Sequence, residues 1–299
     1  MKIIVPLLTP LDDRYEPDEQ GLRILIDFLL AKKIDGIFVL GTTGEFQFIK
    51  NRKKIIEITV EHVAGRCPVF AGVTDFSVEE TIFRIFEAQN LQLAPDFLVI
   101  APIVYHSNRK LVRHFERIEK FLQIPVYLYN NIGIVTRKLK RKDIIPGILE
   151  ELSNMKKING IKDSSGNLKY FKEITIFKNE NFKILQGDEG LIVDSFLLKS
   201  DGIVPSMANI FPEIFIKLLS CLENGNMEKA NLIQNQIKQI RSIYYMSGAT
   251  PAVLKEYLRR RKVIKTSTSF CKNDLIKELT DELEIKIEQI TVGVENGSK

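Results

Sequence analysis

The chain has 299 residues, a formal net charge of +5 and a hydrophobic content of 44%. This composition excludes an intrinsically disordered protein, and so small a charge surplus over this length gives no support to nucleic-acid binding. The length is ample for one large domain or two ordinary domains whose cores need neither disulfides nor structural metals.

Cysteine and histidine are scarce, which bears on redox and metal chemistry. The three cysteines, Cys67, Cys221 and Cys271, are widely spaced, and this pattern argues against a disulfide framework and a Cys-x-x-Cys metal site. We expect three buried thiols in a reducing compartment. The three histidines lack the spacing of zinc ligands, and the N-terminal apolar stretch is too short for a signal peptide or a membrane span. We therefore expect a cytoplasmic protein without a metal.

Eight short apolar runs, rich in β-branched residues, follow one another along the chain, each before a segment with helical periodicity. They span residues 2–8, 36–40, 68–73, 96–100, 125–129, 158–162, 182–186 and 202–204. Because the runs are continuous rather than alternating, they predict parallel strands that are covered on both faces. Ser77, three residues before Glu80, predicts a capping box at the start of one intervening helix.

Eight strand–helix units predict an α/β fold of the closed (β/α)8 type, the TIM barrel. A Rossmann sheet is disfavoured, since no Gly-x-Gly-x-x-Gly follows the first run. Three helices are predicted next, over residues 226–246, 251–260 and 274–290. We therefore divide the chain into a barrel domain over residues 1–224 and a C-terminal helical extension over 225–299. Two basic runs, 137–142 and 259–262, are interpreted as solvated helix surface rather than nucleic-acid patches.

Catalytic groups of a parallel barrel lie at the carboxyl ends of its strands, so the residues that end each run are the candidates. Candidate motifs follow six of the runs. They are Gly41-Thr42-Thr43-Gly44-Glu45, Pro102-Ile103-Val104-Tyr105-His106, Tyr129-Asn130-Asn131, Gly160-Ile161-Lys162-Asp163-Ser164-Ser165-Gly166, Gly187-Asp188-Glu189 and Pro205-Ser206.

Lys162 is the most informative of these residues, because burial of an ammonium at a strand end is costly. A nucleophilic lysine uses that cost: desolvation lowers its pKa from ~10.4 towards ~7–8, where the free amine attacks a carbonyl. The alternative is a structural ion pair of Lys162 with Asp163 or Glu45. From this strand alone the two interpretations are evenly matched.

Tyr129 and the threonine pair favour the catalytic interpretation. A phenol on the neighbouring strand could transfer the protons that imine formation and carbon–carbon cleavage require, although a core tyrosine with a backbone partner is the alternative. Thr42 and Thr43 offer hydroxyl and amide groups for a small carboxylate, although such a loop by itself is only a tight turn. Together these groups predict a Schiff-base enzyme.

The three motifs around Thr42, Tyr129 and Lys162, in this order and spacing, resemble the dihydrodipicolinate synthase/N-acetylneuraminate lyase family of class I, pyruvate-dependent aldolases. The resemblance implies an imine between Lys162 and the keto group of pyruvate, with no cofactor, because the iminium itself is the electron sink. It implies that Tyr129 is the proton-transfer group and that Thr42 relays its proton.

The resemblance also implies the substrate contacts. Thr43, with adjacent amides such as that of Gly44, would hold the pyruvate carboxylate, Val204 would contact pyruvate through its carbonyl, and Gly187 would border the same site. The Tyr-Tyr pair that is usual after the fourth strand is missing. Whether Tyr105 fills the proton-relay position reached across a subunit interface is left open. Members are commonly homotetramers, so the resemblance implies self-association.

Two replacements bear on the branch of the family. Synthases typically read Tyr-Asn-x-Pro-x-Arg, and the arginine binds the carboxylate of aspartate semialdehyde, whereas this chain has Ile132 and Ile134 in place of the proline and arginine. Because isoleucine cannot form that ion pair, we expect an aldolase that cleaves 2-keto-3-deoxygluconate reversibly to pyruvate and glyceraldehyde.

Three further interpretations stay open. The 6-phosphate of the same sugar acid becomes a substrate if His106, Arg109 or Lys110 reaches its distal end, although caps or solvated helix surface are the more ordinary roles for these residues. A dihydrodipicolinate synthase that condenses pyruvate with aspartate semialdehyde is the second alternative. A non-enzymatic barrel paralogue that kept the fold and lost turnover is the third.

Overall fold

The computed structural model describes residues 1–103, 107–134, 143–245, 248–271 and 273–296. Its eight strands pair in parallel, in chain order, and β1 closes on β8 to form a barrel. The strands are β1 Lys2–Pro6, β2 Gly36–Val39, β3 Val69–Gly72, β4 Phe97–Ile100, β5 Val126–Asn130, β6 Ile158–Asp163, β7 Lys183–Gln186 and β8 Gly202–Ile203. The helices are α1 Glu19–Ala31, α2 Arg52–Val63, α3 Val78–Gln89, α4 Asn108–Glu119, α5 Pro146–Ser153, α6 Leu168–Ile174, α7 Ile192–Leu197, α8 Pro212–Glu223, α9 Met227–Tyr245, α10 Thr250–Arg260 and α11 Ile276–Asn296. The predicted (β/α)8 barrel with C-terminal helices is confirmed.

Each strand lies within its predicted run, except that β5 and β6 continue one residue further, to Asn130 and Asp163. This extension has a structural consequence, because it pairs the ends of the two strands in register. Tyr129 is the partner of Lys162, and Asn130 is the partner of Asp163. The two residues predicted to share the chemistry therefore lie side by side on neighbouring strands.

Two hydrophobic clusters surround the strands, one inside the barrel and one between the barrel and its helices. The inner cluster consists of Ile4, Phe38, Phe70, Val99, Ala101, Tyr127, Tyr129, Leu185 and Val204. Val126 and Leu128, the alternate residues of β5, belong to the outer cluster. This alternation follows from the two-residue period of a strand, and it places the Tyr129 ring inside the barrel.

The helix starts follow the local sequence. Ser77 caps α3, since its hydroxyl accepts a hydrogen bond from the Glu80 amide at 3.0 Å and donates one to the Glu80 carboxylate at 3.3 Å. The predicted N-cap at Ser77 is therefore confirmed, but the Glu80 carboxylate contacts the Ser77 hydroxyl rather than the Ser77 amide that a full capping box would bond. Asp18, Asn51 and Asn167 cap α1, α2 and α6 through their side-chain oxygens.

The three predicted C-terminal helices are present as α9, α10 and α11. Helix α11 continues to Asn296 rather than ending at 290. Gly293 lies in this added part, and a single glycine inside a helix costs only about 1 kcal/mol. The three arginines of the basic run at 259–262 form ion pairs: Arg259 with Glu256 at 2.7 Å, Arg260 with Asp281 at 2.6 Å and Arg261 with Glu288 at 3.2 Å. The other basic run, 137–142, lies outside the described residues. None of the described helices is long and apolar enough to cross a membrane.

Gly160 provides a test of the barrel packing next to Lys162. A Cβ atom at this position would lie 2.4 Å from the Lys183 carbonyl oxygen and 2.5 Å from the Tyr127 ring. Gly160→Ala should therefore lower the free energy of unfolding by about 1–3 kcal/mol in urea denaturation, because both neighbours belong to paired strands. Gly147→Ala in α5 is the control, since nothing lies within 4 Å of its added Cβ, and we expect a change within about 1 kcal/mol. Equal effects would contradict this account of the packing.

Candidate active site

A cavity of about 450 Å³ opens at the carboxyl ends of the strands. Six of the predicted site residues line it: Thr42, Thr43, Tyr129, Lys162, Gly187 and Val204. Gly44 does not line it, and Tyr105 lies outside the described residues. Loops from distant parts of the sequence thus converge on one site, as parallel strands of a closed barrel require.

Lys162 projects from β6 into the barrel interior and is 5% exposed. Its Nζ lies 4.3 Å from the centre of the Tyr129 ring and 4.9 Å from the centre of the Phe38 ring. Burial lowers the pKa of the Lys162 amine, and the opposing influence of Tyr129 and of the Glu189 charge does not cancel this effect. At a given pH, a larger fraction of Lys162 is therefore in the neutral amine form than of an ordinary lysine, as a nucleophile requires.

The anions proposed as structural partners of Lys162 are engaged elsewhere. Asp163 points to the opposite side of β6, where its carboxylate accepts hydrogen bonds from Asn130 at 2.8 Å and from the Ser165 hydroxyl at 2.9 Å. The Glu45 carboxylate pairs with Lys255. Among the described residues no ion pair within 4.0 Å includes Lys162, so the structural ion-pair interpretation is not supported.

Tyr129 places its hydroxyl between two polar side chains. Thr42 Oγ1 lies 3.2 Å from the phenol oxygen, and Asn131 Nδ2 donates a hydrogen bond to it at 2.8 Å. Burial raises the pKa of the phenol. The Lys162 charge outweighs this effect, together with hydrogen bonds from Thr42, Asn131 and Ser164, so the pKa of Tyr129 is lowered overall. The phenol and the amine are thus electrostatically coupled, which suits a pair that exchanges protons.

The threonine loop is a tight turn that packs against the chain directly after β1. The Gly44 amide donates to the Gly41 carbonyl at 3.1 Å, and the Glu45 amide donates to the Thr42 carbonyl at 3.0 Å. A Cβ atom at Gly44 would lie 2.9 Å from the Leu7 carbonyl oxygen, so this glycine permits the close approach of the turn to the strand. The structure thus assigns Gly44 to the turn, whereas Thr43 faces the cavity.

Gly187 and Val204, the residues directly after β7 and β8, line the cavity together with Lys162. A Cβ atom at Gly187 would lie 2.0 Å from the Ser164 hydroxyl and 3.1 Å from Cε of Lys162, so only glycine fits beside the lysine. The Val204 amide donates to the Gln186 carbonyl at 2.8 Å, and its side chain belongs to the inner cluster.

Asp188 and Glu189, after β7, are held by helix α9. Asp188 forms an ion pair with Arg241 at 3.0 Å. The Glu189 carboxylate accepts hydrogen bonds from the Ser206 hydroxyl at 2.8 Å and from the Tyr244 hydroxyl at 2.8 Å. The sequence shows the two acids at a strand end, but it gives no sign that Arg241 and Tyr244 reach them, since polar residues on an amphipathic helix ordinarily face solvent.

The prediction of three buried thiols is wrong for Cys271. Cys67 and Cys221 are buried, whereas Cys271 is half-buried and lines the cavity. It belongs to the loop between α10 and α11, which reaches the mouth of the barrel because Ser269 and Phe270 bind the Glu45 carboxylate there.

Comparison with known proteins identifies relatives across nearly the whole chain. Residues 1–289 match the model of the dihydrodipicolinate synthetase family. A protein of Porphyromonas gingivalis named 4-hydroxy-tetrahydrodipicolinate synthase is 31% identical over 265 residues, which cover 87% of each chain. A protein of the same name from Caldicellulosiruptor saccharolyticus is 30% identical over 93% of this chain and 95% of its own.

Solved structures agree with this assignment. Dihydrodipicolinate synthase from Bacteroides thetaiotaomicron is 28% identical and superimposes with a TM-score of 0.85 over 96% of this chain and 98% of its own. YagE, an Escherichia coli prophage protein of the same family solved with pyruvate, is 27% identical with a TM-score of 0.85 over 95% and 98%. The chain belongs to the dihydrodipicolinate synthetase family, and it is a carbon–carbon lyase of the pyruvate-dependent class I type.

Proposed function

We propose that the chain catalyses a reversible aldol reaction of pyruvate through an imine on Lys162. The observation that carries this proposal is the pairing of the buried Lys162 with Tyr129, whose hydroxyl contacts Thr42. A buried amine beside a hydrogen-bonded phenol supplies both a nucleophile and an acid–base group. This assembly favours an enzyme over the non-enzymatic paralogue.

The reaction begins with attack of the neutral Lys162 amine on the keto carbon of pyruvate. Tyr129 passes a proton to the resulting carbinolamine oxygen, water leaves, and the imine forms. Loss of a proton from the methyl carbon gives an enamine, whose carbon attacks an aldehyde. Hydrolysis of the new imine releases the product, and the reverse sequence cleaves it. The iminium accepts the electron pair of the C–H bond when the enamine forms, and that of the C–C bond in the cleavage direction, so these steps need no metal or cofactor.

Thr42 and Thr43 take separate parts in this scheme. Thr42 relays the proton to Tyr129, and Thr43, which faces the cavity, holds the pyruvate carboxylate. Gly187 and Val204 border the bound pyruvate next to Lys162. The roles of Tyr105 and of a homotetramer stay predictions.

We infer that the acceptor is an uncharged hydroxyaldehyde, as in cleavage of 2-keto-3-deoxygluconate. Ile134 occupies the place of the synthase arginine, and its side chain packs against the hydrophobic clusters. The described cations that line the cavity are Lys162 and Arg241, and Arg241 is already paired with Asp188. A second carboxylate in the cavity thus lacks an unpaired cation among these residues, whereas hydroxyl groups find several polar partners.

The synthase reaction is the second candidate, and the names of the relatives favour it over the first. The relatives from Porphyromonas gingivalis and Caldicellulosiruptor saccharolyticus both carry the synthase name. In that case Arg241 is the described group suited to the carboxylate of aspartate semialdehyde, since it lines the cavity and stacks 3.8 Å over the Tyr245 ring.

Lys162→Ala should abolish the covalent adduct that borohydride reduction forms with pyruvate, because among the described residues Lys162 is the lysine that lines the cavity. Mass spectrometry of the intact protein measures the adduct. Lys169→Ala, which removes an exposed lysine on α6, is the matched control and should trap as the unmodified chain does. An adduct in the Lys162 variant equal to that of the control would contradict the assignment.

Tyr129→Phe should reduce kcat by about 10²- to 10⁴-fold, the usual contribution of a general acid–base group, while pyruvate still binds. Tyr127→Phe is the matched control, since Tyr127 lies on the same strand and in the same inner cluster, and burial raises its pKa to about 12. We expect near-normal turnover in this control. Full activity of the Tyr129 variant would remove it from the mechanism.

Steady-state rates with two aldehydes decide the acceptor. We expect kcat/KM for pyruvate plus glyceraldehyde to exceed that for pyruvate plus aspartate semialdehyde. If the order is reversed, the synthase reaction is correct. Arg241→Met should then lower kcat/KM for aspartate semialdehyde by about 10- to 100-fold more than it lowers kcat/KM for glyceraldehyde, the effect of one charged hydrogen bond.

A further inference from the structure

A buried ion pair joins the threonine loop to the C-terminal extension. The side chains of Glu45, in the loop after β2, and Lys255, on α10, are both 0% exposed, although 210 positions separate them in the sequence. The Glu45 carboxylate also accepts hydrogen bonds from the Ser269 hydroxyl and the Phe270 amide, each at 2.7 Å. Lys255 donates a second hydrogen bond to the Thr268 carbonyl at 2.9 Å.

Glu45 is an unusual residue for such a contact, because its backbone is left-handed, with φ of 55°. A non-glycine residue holds this conformation only where its surroundings enforce it. The enforcing contacts here are those of its carboxylate to α10 and to the loop between α10 and α11. The chain therefore accepts both the strain and the desolvation of two charges at this point.

The backbone of Glu45 leads directly to the proposed proton relay. Its amide donates to the Thr42 carbonyl at 3.0 Å and so closes the turn from which the Thr42 side chain projects. The Thr42 hydroxyl lies 3.2 Å from the Tyr129 hydroxyl, near the limit of a useful hydrogen bond, and a small rotation of the turn would break this contact.

We infer that Glu45 and Lys255 are positioning residues, through which the C-terminal extension holds Thr42 in hydrogen-bonding distance of Tyr129. Neither residue reacts with substrate in this scheme. The inference rests on the proposed imine chemistry, since Thr42 matters only if Tyr129 transfers protons. It makes α10 part of the active site rather than a separate appendage to the barrel.

A double-mutant cycle between Lys255→Met and Thr42→Val tests this role. With Thr42 present, Lys255→Met should lower kcat by about tenfold or more, because displacement of a catalytic group by about 1 Å is costly. With Thr42 already removed, the same substitution should change kcat by less than about twofold, since nothing remains for the ion pair to position. Equal fold-losses in the two backgrounds would overturn the inference.

Two further variants separate positioning from loss of folding. Leu258→Ala removes a fully buried side chain from the same helix and should lower the melting temperature without lowering kcat measured well below it. Ser269→Ala removes one hydrogen bond to Glu45 and leaves the ion pair, so it enters the same cycle if the Lys255 variant does not fold. Its kcat should fall only when Thr42 is present, and an equal fall in both backgrounds overturns the inference.

Borohydride trapping of pyruvate on the unmodified chain keeps the two proposals distinguishable. If no adduct forms on Lys162, the proposed function and the positioning role are both wrong. If the adduct forms and the cycle shows equal losses in both backgrounds, only the positioning role is wrong.

Discussion

The Lys162 side chain is buried at the end of β6 without an anionic partner among the described residues, and the site is organised around this constraint. An ammonium in such a place loses its hydration and is destabilised relative to the neutral amine. The pKa of Lys162 therefore falls. Aromatic rings of Tyr129 and Phe38 surround the amine instead of carboxylates. A nearby carboxylate would reverse this effect by stabilising the ammonium.

The acids that line the cavity are bound instead by side chains of the C-terminal helices or by the loop between them. Glu45 pairs with Lys255 of α10, and Asp188 pairs with Arg241 of α9. Glu189 forms no ion pair with the described residues but accepts three hydrogen bonds, so its carboxylate is solvated by the protein. Its charge still opposes the fall in the Lys162 pKa, yet burial outweighs it. The extension thus contributes to the electrostatics of a site whose reacting groups all belong to the barrel.

Much of the barrel could be predicted from the sequence, because continuous apolar runs are a local signal and strand ends mark the catalytic face. Lys162, Tyr129 and Thr42 were found in this way, and the structure brings them together. Gly44 could not be placed by the same argument, since a turn amide faces the substrate or its own loop according to backbone geometry. Lys255 could not be recognised at all. Its neighbours form an ordinary amphipathic helix, and its partner lies 210 residues away, so burial of its charge depends on tertiary packing alone.

The most direct test of this account is the pH dependence of imine formation between Lys162 and pyruvate. The adduct yield after brief cyanoborohydride trapping at each pH reports the fraction of neutral amine. The yield of a free lysine side chain under the same conditions gives the reference pH profile. Because burial lowers the Lys162 pKa, the rate of formation should rise with pH and level off below the ordinary lysine value of about 10.4. A rate that rises in parallel with the free lysine, up to that value, would contradict the central claim that burial without an anionic partner activates Lys162.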